Sequence, residues 1–307
     1  MILNVCVNPR IEVNLEVNKL SIGRSSEIIN KNTFYTGRAI NVATGLARLG
    51  APAFATGFMY EDNGRLFELQ LHKEGIPYKF VWSEGKVKES FKFIDNKSML
   101  TEFYEKSKPV SLEKQTELLN LISELVKSAN CIVISGSIPN GISSDYFYKI
   151  LQRTPNNVIK VVDAEGDNLL NALKCGADLI KPNLEELQKT LNVKIESKND
   201  LLSSCEKLLL LGAKRVLVSL GKNGALITDG NKTYYAKSIN VAMNSTVGAG
   251  DGMVAGATNA LVNGENLKNI LKSGVAAGTA AVTLPESISF TKNKYEEILS
   301  NLTVQEI

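Results

Sequence analysis

The chain has 307 residues, of which 44% are hydrophobic and 22% charged, a balance typical of a soluble enzyme. Its 35 basic and 32 acidic residues leave a formal net charge of +3. That excess is too small to indicate a nucleic-acid or membrane partner. The four cysteines are too scattered for a zinc site or a redox pair. Because no signal peptide and no run of roughly 18 apolar residues is evident, we expect a cytoplasmic protein.

The first hundred residues alternate between polar and apolar positions in two stretches, 11–20 and 90–104. Such alternation is typical of half-buried strands. Between them, residues 41–49 carry an apolar helical face, and Gly50 follows where a helix often ends. Because the two alternating stretches are far from the other predicted strands, we expect them to form a small second sheet, or lid.

Four short β-branched runs in the second half each lead into a polar or glycine-containing cluster and then a helical stretch. They lie at 131–134, 158–162, 178–180 and 216–218. Strands that alternate with helices form a parallel sheet with helices on both faces. Ligands bind at the carboxyl ends of such strands, so the clusters should converge on one rim. This predicts a three-layer α/β/α sandwich with a mostly parallel central sheet.

The strongest local signal is NSTVGAGDG at 244–252, which precedes a helical stretch at 253–262. Gly248 and Gly250 permit a tight turn whose successive amides point one way. Amides at the start of a helix bind anions. Asp251 beside them would accept a hydroxyl proton while the amides hold a phosphoryl group. An aspartate that merely stabilises the helix start explains the spacing equally well.

Two common phosphate-binding loops are missing from the sequence. Gly221 and Lys222 are followed by Asn223, and Val216 stands where a Walker loop would have its first glycine. A G-x-G-x-x-G dinucleotide turn is also absent. A dinucleotide oxidoreductase is therefore not indicated.

The run at 244–252 resembles the second signature of the PfkB carbohydrate kinases, which belong to the ribokinase-like superfamily. Within that group the chain most resembles bacterial 1-phosphofructokinases and tagatose-6-phosphate kinases. Further matches lie in order at 8–9, 40–43, 46–50, 135–139, 181–187, 218–225 and 274–284. The resemblance implies one ribokinase-like kinase domain over 1–307, with lid strands inserted at about 9–36 and 87–105.

The resemblance also implies roles for the phosphoryl-transfer residues. Asp251 would be the catalytic base, and the amides of Gly248, Ala249 and Gly250 would form an anion hole. ATP and Mg²⁺ are the implied cofactors.

On the nucleotide side, Lys181 would approach the phosphates, and Asn183 and Glu186 would organise Mg²⁺ through water. The groove itself would be lined by Ser219, Gly221 and Gly224, with the helix near 274–281 closing the adenine side. Asn183 and Glu186 would equally well cap the following helix.

The sugar-binding half departs from the family pattern. The first signature, G-G-K-G-x-N, becomes TGRAIN at 36–41, and Glu12 replaces an aspartate in N-P-x-x-D. Arginine keeps the positive charge of the lysine but binds phosphate as a planar fork. The usual lid arginine is not evident, so Arg10, Lys88 or Lys92 would supply its charge. The implied substrate-binding residues are Glu12, Gly37, Arg38, Asn41 and Ser137.

We therefore predict ATP-dependent phosphorylation of a ketohexose phosphate to the bisphosphate, with a substrate of the tagatose 6-phosphate, fructose 1-phosphate or fructose 6-phosphate type. Two alternatives stay open: a ribokinase-like kinase for an unphosphorylated sugar or a nucleoside, and a non-catalytic sugar-phosphate sensor. The resemblance also implies a homodimer formed through the lid.

Overall fold

A computed structural model describes residues 1–97, 99–239, 241, 248–284 and 290–307. Residues 244–247 of the predicted second signature lie outside the described residues. The described strands are β1 (Ile2–Cys6), β2 (Arg10–Val17), β3 (Ile28–Thr36), β4 (Ala53–Tyr60), β5 (Tyr78–Ser83), β6 (Lys88–Ile94), β7 (Leu100–Tyr104), β8 (Cys131–Ser135), β9 (Ile159–Asp163), β10 (Leu179–Ile180), β11 (Val216–Ser219), β12 (Ala225–Thr228), β13 (Thr233–Ala236) and β14 (Val304–Glu306).

The described α-helices, again in chain order, are α1 (Arg38–Arg48), α2 (Arg65–Lys73), α3 (Leu112–Leu125), α4 (Tyr146–Leu151), α5 (Gly166–Leu173), α6 (Leu184–Leu191), α7 (Lys198–Leu210), α8 (Ala249–Val262), α9 (Leu267–Ala281) and α10 (Lys292–Asn301).

Ten strands form the central sheet in the order β14-β13-β12-β11-β10-β9-β8-β1-β4-β5. The seven strands from β11 to β5 pair in parallel, and β12, β13 and β14 pair antiparallel. β1 is buried at all of its positions, as expected for a strand covered on both faces. Its Ile2 packs into one apolar cluster and Leu3 into another. The predicted three-layer α/β/α architecture is therefore confirmed.

A separate four-stranded sheet, the lid, has the order β3-β2-β6-β7. One face is apolar, where Ile11, Val13 and Leu15 are buried against the main core. The opposite face is polar and carries Glu12, directly paired with Ser90 of β6. Only Gly37 separates the end of β3 from the start of α1, so the lid is joined closely to that helix.

Small residues allow α8 and α9 to pack closely. A Cβ on Gly256 would lie only 2.4 Å from the carbonyl oxygen of Ser273, and one on Gly252 only 2.9 Å from that of Ala277. This contact holds the first turn of α8 at the rim of the sheet. Among the helices of the described residues, none is long and apolar enough to cross a bilayer.

Candidate active site

The first turn of α8 offers backbone donors at the rim. Gly248 caps the helix with φ of 84°, a left-handed conformation that glycine adopts without strain. The first intrahelical hydrogen bond joins the Gly252 amide to the Gly248 carbonyl at 2.8 Å. The amides of Ala249 and Gly250 precede that bond, and within the described part of the chain they have no hydrogen-bond acceptor. Amides in this position, at the start of a helix, are the donors that bind anions.

Asp251 is the third residue of α8 and only 7% exposed. Its Oδ2 accepts a hydrogen bond of 2.8 Å from Asn41 Nδ2. Burial raises the pKa of Asp251 to about 6, although Arg38 and the Asn41 bond act in the opposite direction. A carboxylate with this pKa is mostly ionised at neutral pH and still basic enough to take a proton.

Arg38 lies at the centre of three carboxylates. Its NH2 is 2.8 Å from Asp163 Oδ1, its NH1 is 3.5 Å from Glu186 Oε1, and its Nε is 3.6 Å from Asp251 Oδ1. Burial opposes the charge, but these acids outweigh it and raise the pKa of the guanidinium. The arginine expected on the sugar side thus also contacts the candidate base and the nucleotide-side glutamate.

Asp163 is a site residue that the sequence analysis missed. It ends β9, is fully buried, accepts a 2.6 Å hydrogen bond from the Ser135 hydroxyl and lies 3.3 Å from Lys181 Nζ. Burial opposes its ionisation, but Arg38 and Lys181 hold its pKa below the ordinary value. Its position at the carboxyl end of a parallel strand was the signal that could have identified it.

Lys181 is buried beside the first turn of α8. A Cβ on Gly250 would lie 3.6 Å from its Nζ. The amine therefore stands next to the amides that were predicted to hold the transferring phosphoryl group.

Asn183 and Glu186 form a capping box at the start of α6. Asn183 Oδ1 accepts from the Glu186 amide at 2.8 Å, and Glu186 Oε2 accepts from the Asn183 amide at 2.8 Å. In this structure, therefore, Asn183 and Glu186 cap α6, as the alternative to the magnesium role predicted. Glu186 Oε1 takes no part in the cap and faces Arg38. Within the described residues, no group of three potential His, Cys, Asp or Glu ligands surrounds a metal position.

A cleft of about 520 Å³ runs beside the first turn of α8. Ser219, Gly221 and Gly224 line it together with Ala249 and Gly250, and α9 contributes Val275, Gly278 and Thr279. The lining residues that the sequence analysis missed include Ile239 and Val241, which lie in no recognisable motif. Its volume lies in the range of small-molecule binding sites, and its lining is mostly apolar.

The remaining residues predicted to bind the sugar lie in the lid, before α1 and after β8. Glu12 is fully buried, and its Oε2 lies 2.7 Å from Lys92 Nζ, so the two form an ion pair within the lid. Gly37 packs against Cys6, whose Sγ would be 2.6 Å from an added Cβ. Ser137 is exposed and accepts a 2.9 Å hydrogen bond from Asn8 Nδ2. The contacts to Asp251 come instead from Arg38 and Asn41.

Comparison with known proteins identifies the family. A family model described as pfkB family carbohydrate kinase matches residues 2–294. The chain belongs to the PfkB family of carbohydrate kinases. The family assignment made from the ordered motifs is thus confirmed.

Individual relatives match over nearly the whole chain. It is 30% identical over 308 residues to 1-phosphofructokinase from Borreliella burgdorferi, covering 100% of this chain and 99% of the relative. It is similar to the crystal structure of phosphofructokinase-2 from Escherichia coli in complex with potassium, with 25% identity, 98% of each chain covered and a TM-score of 0.91. The tetrameric inhibited form of that enzyme matches with 26% identity, 98% of each chain covered and a TM-score of 0.89. These similarities confirm the predicted ribokinase-like fold with a lid.

Proposed function

We propose that this PfkB-family chain transfers the γ-phosphoryl group of ATP to a hydroxyl of a ketohexose phosphate, giving the bisphosphate and ADP. One observation carries the proposal: the buried Asp251 carboxylate stands in the same helical turn as the amides of Ala249 and Gly250, which open onto the nucleotide-sized cleft. A base beside an anion-binding turn is what in-line phosphoryl transfer requires.

In this mechanism Asp251 accepts the proton of the substrate hydroxyl as its oxygen attacks the γ-phosphorus. The bond between that phosphorus and the β,γ-bridging oxygen breaks, and ADP leaves with its electron pair. The amides of Ala249 and Gly250 and the amine of Lys181 stabilise the charge on the migrating group. Arg38, which contacts Asp251 and Glu186, supplies further positive charge between base and nucleotide.

Mg²⁺ fits the donor chemistry on the nucleotide side. This ion prefers oxygen ligands, keeps several waters and uses only one or two carboxylates beside substrate phosphates. Glu186 Oε1 is such an oxygen, left outside the capping box at the rim. We therefore assign Glu186 and Asn183 to hold Mg²⁺ through water, where it would neutralise charge on the ATP phosphates.

Two neighbouring cations support a phosphorylated substrate. Arg10 and Lys88 are directly paired across β2 and β6 on the polar face of the lid. Burial, together with Arg10, lowers the pKa of Lys88, and this amine makes no ion pair with any carboxylate of the described residues. Lys88 also acts electrostatically on Cys6, which packs against Gly37 at the start of α1. Arg10 lies 4.0 Å from Glu12 and 3.9 Å from Glu102, so a phosphate held there would chiefly neutralise Lys88.

The test is ADP release measured with a panel of acceptors. At least one of tagatose 6-phosphate, fructose 6-phosphate and fructose 1-phosphate should support turnover, while unphosphorylated ketohexoses and nucleosides should not. Turnover with only the unphosphorylated compounds would overturn the substrate class. Tight binding of a sugar phosphate without any ADP release would instead identify the sensor.

A homodimer through the lid is part of the proposal. The lid carries Ile28, Ile29, Leu100, Phe103 and Tyr104, which are between 50% and 73% exposed. They lie on β3 and β7, the two edge strands of the lid, and large apolar side chains exposed along a sheet edge are typical of a surface that a partner covers. The phosphofructokinase-2 relative is tetrameric in its inhibited form, which is in line with assembly in this family.

A further inference from the structure

Thr36 stands at the end of a hydrogen-bond chain that reaches the candidate base. Its hydroxyl donates to Asn41 Oδ1 at 2.8 Å, and Asn41 Nδ2 donates to Asp251 Oδ2 at 2.8 Å. All three residues are buried, with exposures of 3%, 5% and 7%. They come from β3, α1 and α8, so these hydrogen bonds link the lid to Asp251 through the side-chain amide of Asn41.

The chemistry of the three side chains fixes which group donates each hydrogen bond. An ionised aspartate only accepts hydrogen bonds, so Asn41 must turn its NH₂ group toward Asp251. The Asn41 carbonyl oxygen then points the other way and, being buried, needs a donor of its own. Thr36 provides that donor. Without the hydroxyl, a buried oxygen would stay unsatisfied, or the amide would rotate away from the base.

The residue type at position 36 departs from the signature pattern. The first signature resembles G-G-K-G-x-N, and Thr36 stands where that pattern has its first glycine. A glycine has no side chain with which to orient the asparagine. Compared with that pattern, the Thr36 hydroxyl is an additional hydrogen-bonding group in the site.

We propose that Thr36 is a positioning residue, which orients Asn41 so that its amide holds and stabilises the ionised carboxylate of Asp251. The inference rests on the proposed function, in which Asp251 takes the substrate proton. Because Thr36 ends a lid strand, the same bond makes the geometry of the base depend on the attachment of the lid.

Several other groups also act on Asp251. Arg38 of α1, Asp163 of β9 and Lys181 after β10 contribute charge, and Cys6 of β1 lies close by as a thiol whose burial raises its pKa. Replacing Thr36 changes none of these groups. The Asn41 hydrogen bond favours the ionised form of Asp251. Weakening it raises the pKa of the base, so the acid limb of the activity profile must move to higher pH.

The experiment compares Thr36→Val, which lacks the hydroxyl, with Thr36→Ser, which keeps it. For Thr36→Val we expect kcat to fall about five- to tenfold, the loss of roughly one hydrogen bond. KM for ATP should change little, and the acid limb of kcat should move to higher pH. Thr36→Ser should restore the wild-type limb. Thr44→Val is the matched control, since Thr44 is a buried threonine of α1 whose hydroxyl donates to the Ile40 carbonyl at 3.1 Å.

The outcomes separate the two proposals. Wild-type kinetics and an unmoved acid limb in Thr36→Val would overturn the role of Thr36 while leaving the kinase function in place. Absence of ADP release by the wild-type chain with every acceptor would instead overturn the proposed function. If thermal melting shows that Thr36→Val does not fold, Thr36→Ala also removes the hydroxyl and leaves a smaller side chain. The acid limb of its kcat profile then tests the role of Thr36 in the same way.

Discussion

Arg38 Nε lies 3.6 Å from Asp251 Oδ1, so the candidate base shares its site with a guanidinium. The same side chain reaches the fully buried Asp163 at 2.8 Å. Without this cation, two buried carboxylates would repel each other across the rim, which would favour protonation of Asp251. Arg38 therefore acts on the protonation state of the base, whatever it contributes to substrate binding.

Replacing Arg38 by lysine tests this relationship. A lysine ammonium is a single point charge and cannot contact Asp163, Glu186 and Asp251 together, as the planar fork does. We expect kcat for the Arg38→Lys variant to fall by about tenfold or more, and its acid limb to move to higher pH. Steady-state kinetics over a pH series would measure both effects.

Arg48 provides a matched control for that variant on the same helix. Its guanidinium contacts Glu74 at 3.1 and 2.6 Å, away from Asp251. The Arg48→Lys variant should keep the wild-type pH profile. If Arg38→Lys and Arg48→Lys behaved alike, the proposed effect of Arg38 on the base would be wrong.

The pH dependence of the wild-type chain follows from Asp251. Because burial raises its pKa to about 6, the carboxylate becomes protonated as the pH decreases through that value. A protonated base cannot accept the hydroxyl proton. We expect kcat to fall in proportion to the ionised fraction below pH 6, as measured by coupled ADP release. A kcat that stayed constant down to pH 4.5 would contradict the assignment of Asp251.

Asp251→Asn should abolish turnover and spare ATP binding. The asparagine keeps the shape of the side chain but has no basic oxygen. ADP release should fall by at least about a thousandfold, on the scale of lost general-base catalysis, and calorimetric titration with ATP should give an affinity close to wild type. Turnover at the wild-type rate would show that another group takes the proton.

The same substitution should also affect stability. A carboxyl whose folded-state pKa lies above its unfolded value binds more protons when folded, so its ionisation destabilises the fold as pH rises from about 4 to 6. Asparagine resembles the neutral form. We expect Asp251→Asn to melt at a temperature at least as high as wild type near pH 8, with the difference vanishing near pH 4. A variant clearly less stable at pH 8 would show that the Arg38 contact outweighs the cost of burial.

The sequence predicted the parts of this molecule that are encoded locally. The β-branched runs before polar clusters identified β8, β9, β10 and β11, and the glycine turn identified the start of α8. The contacts of Asp163 with Arg38, and of Thr36 with Asn41, join residues brought together only by the tertiary fold. Spacing could not reveal them. Likewise, a capping box and the expected metal motif have the same N-x-x-E pattern, so the sequence alone could not distinguish these two roles of Asn183 and Glu186.

The exposed apolar residues of the lid provide the last prediction. Phe103 lies on β7, an edge strand of the lid, and packs edge-to-face against Phe93 with ring centroids 5.8 Å apart. It is 57% exposed, so in a lid-mediated dimer it would be covered by the partner. Light scattering after size exclusion should give a dimer for the wild-type chain and a monomer for Phe103→Lys, because a buried ammonium without a partner opposes association.

A surface leucine far from the lid controls for the added charge. Leu210, at the end of α7, is 88% exposed, and Leu210→Lys should leave the dimer intact. The lid carries Arg10, Lys88 and the Glu12–Lys92 ion pair on the face opposite Phe103. Because the interface would hold the lid in place, its loss should also raise KM for the sugar phosphate more than KM for ATP. A Phe103→Lys chain that stays dimeric would place the interface elsewhere. A monomeric chain with an unchanged KM would instead separate assembly from substrate binding.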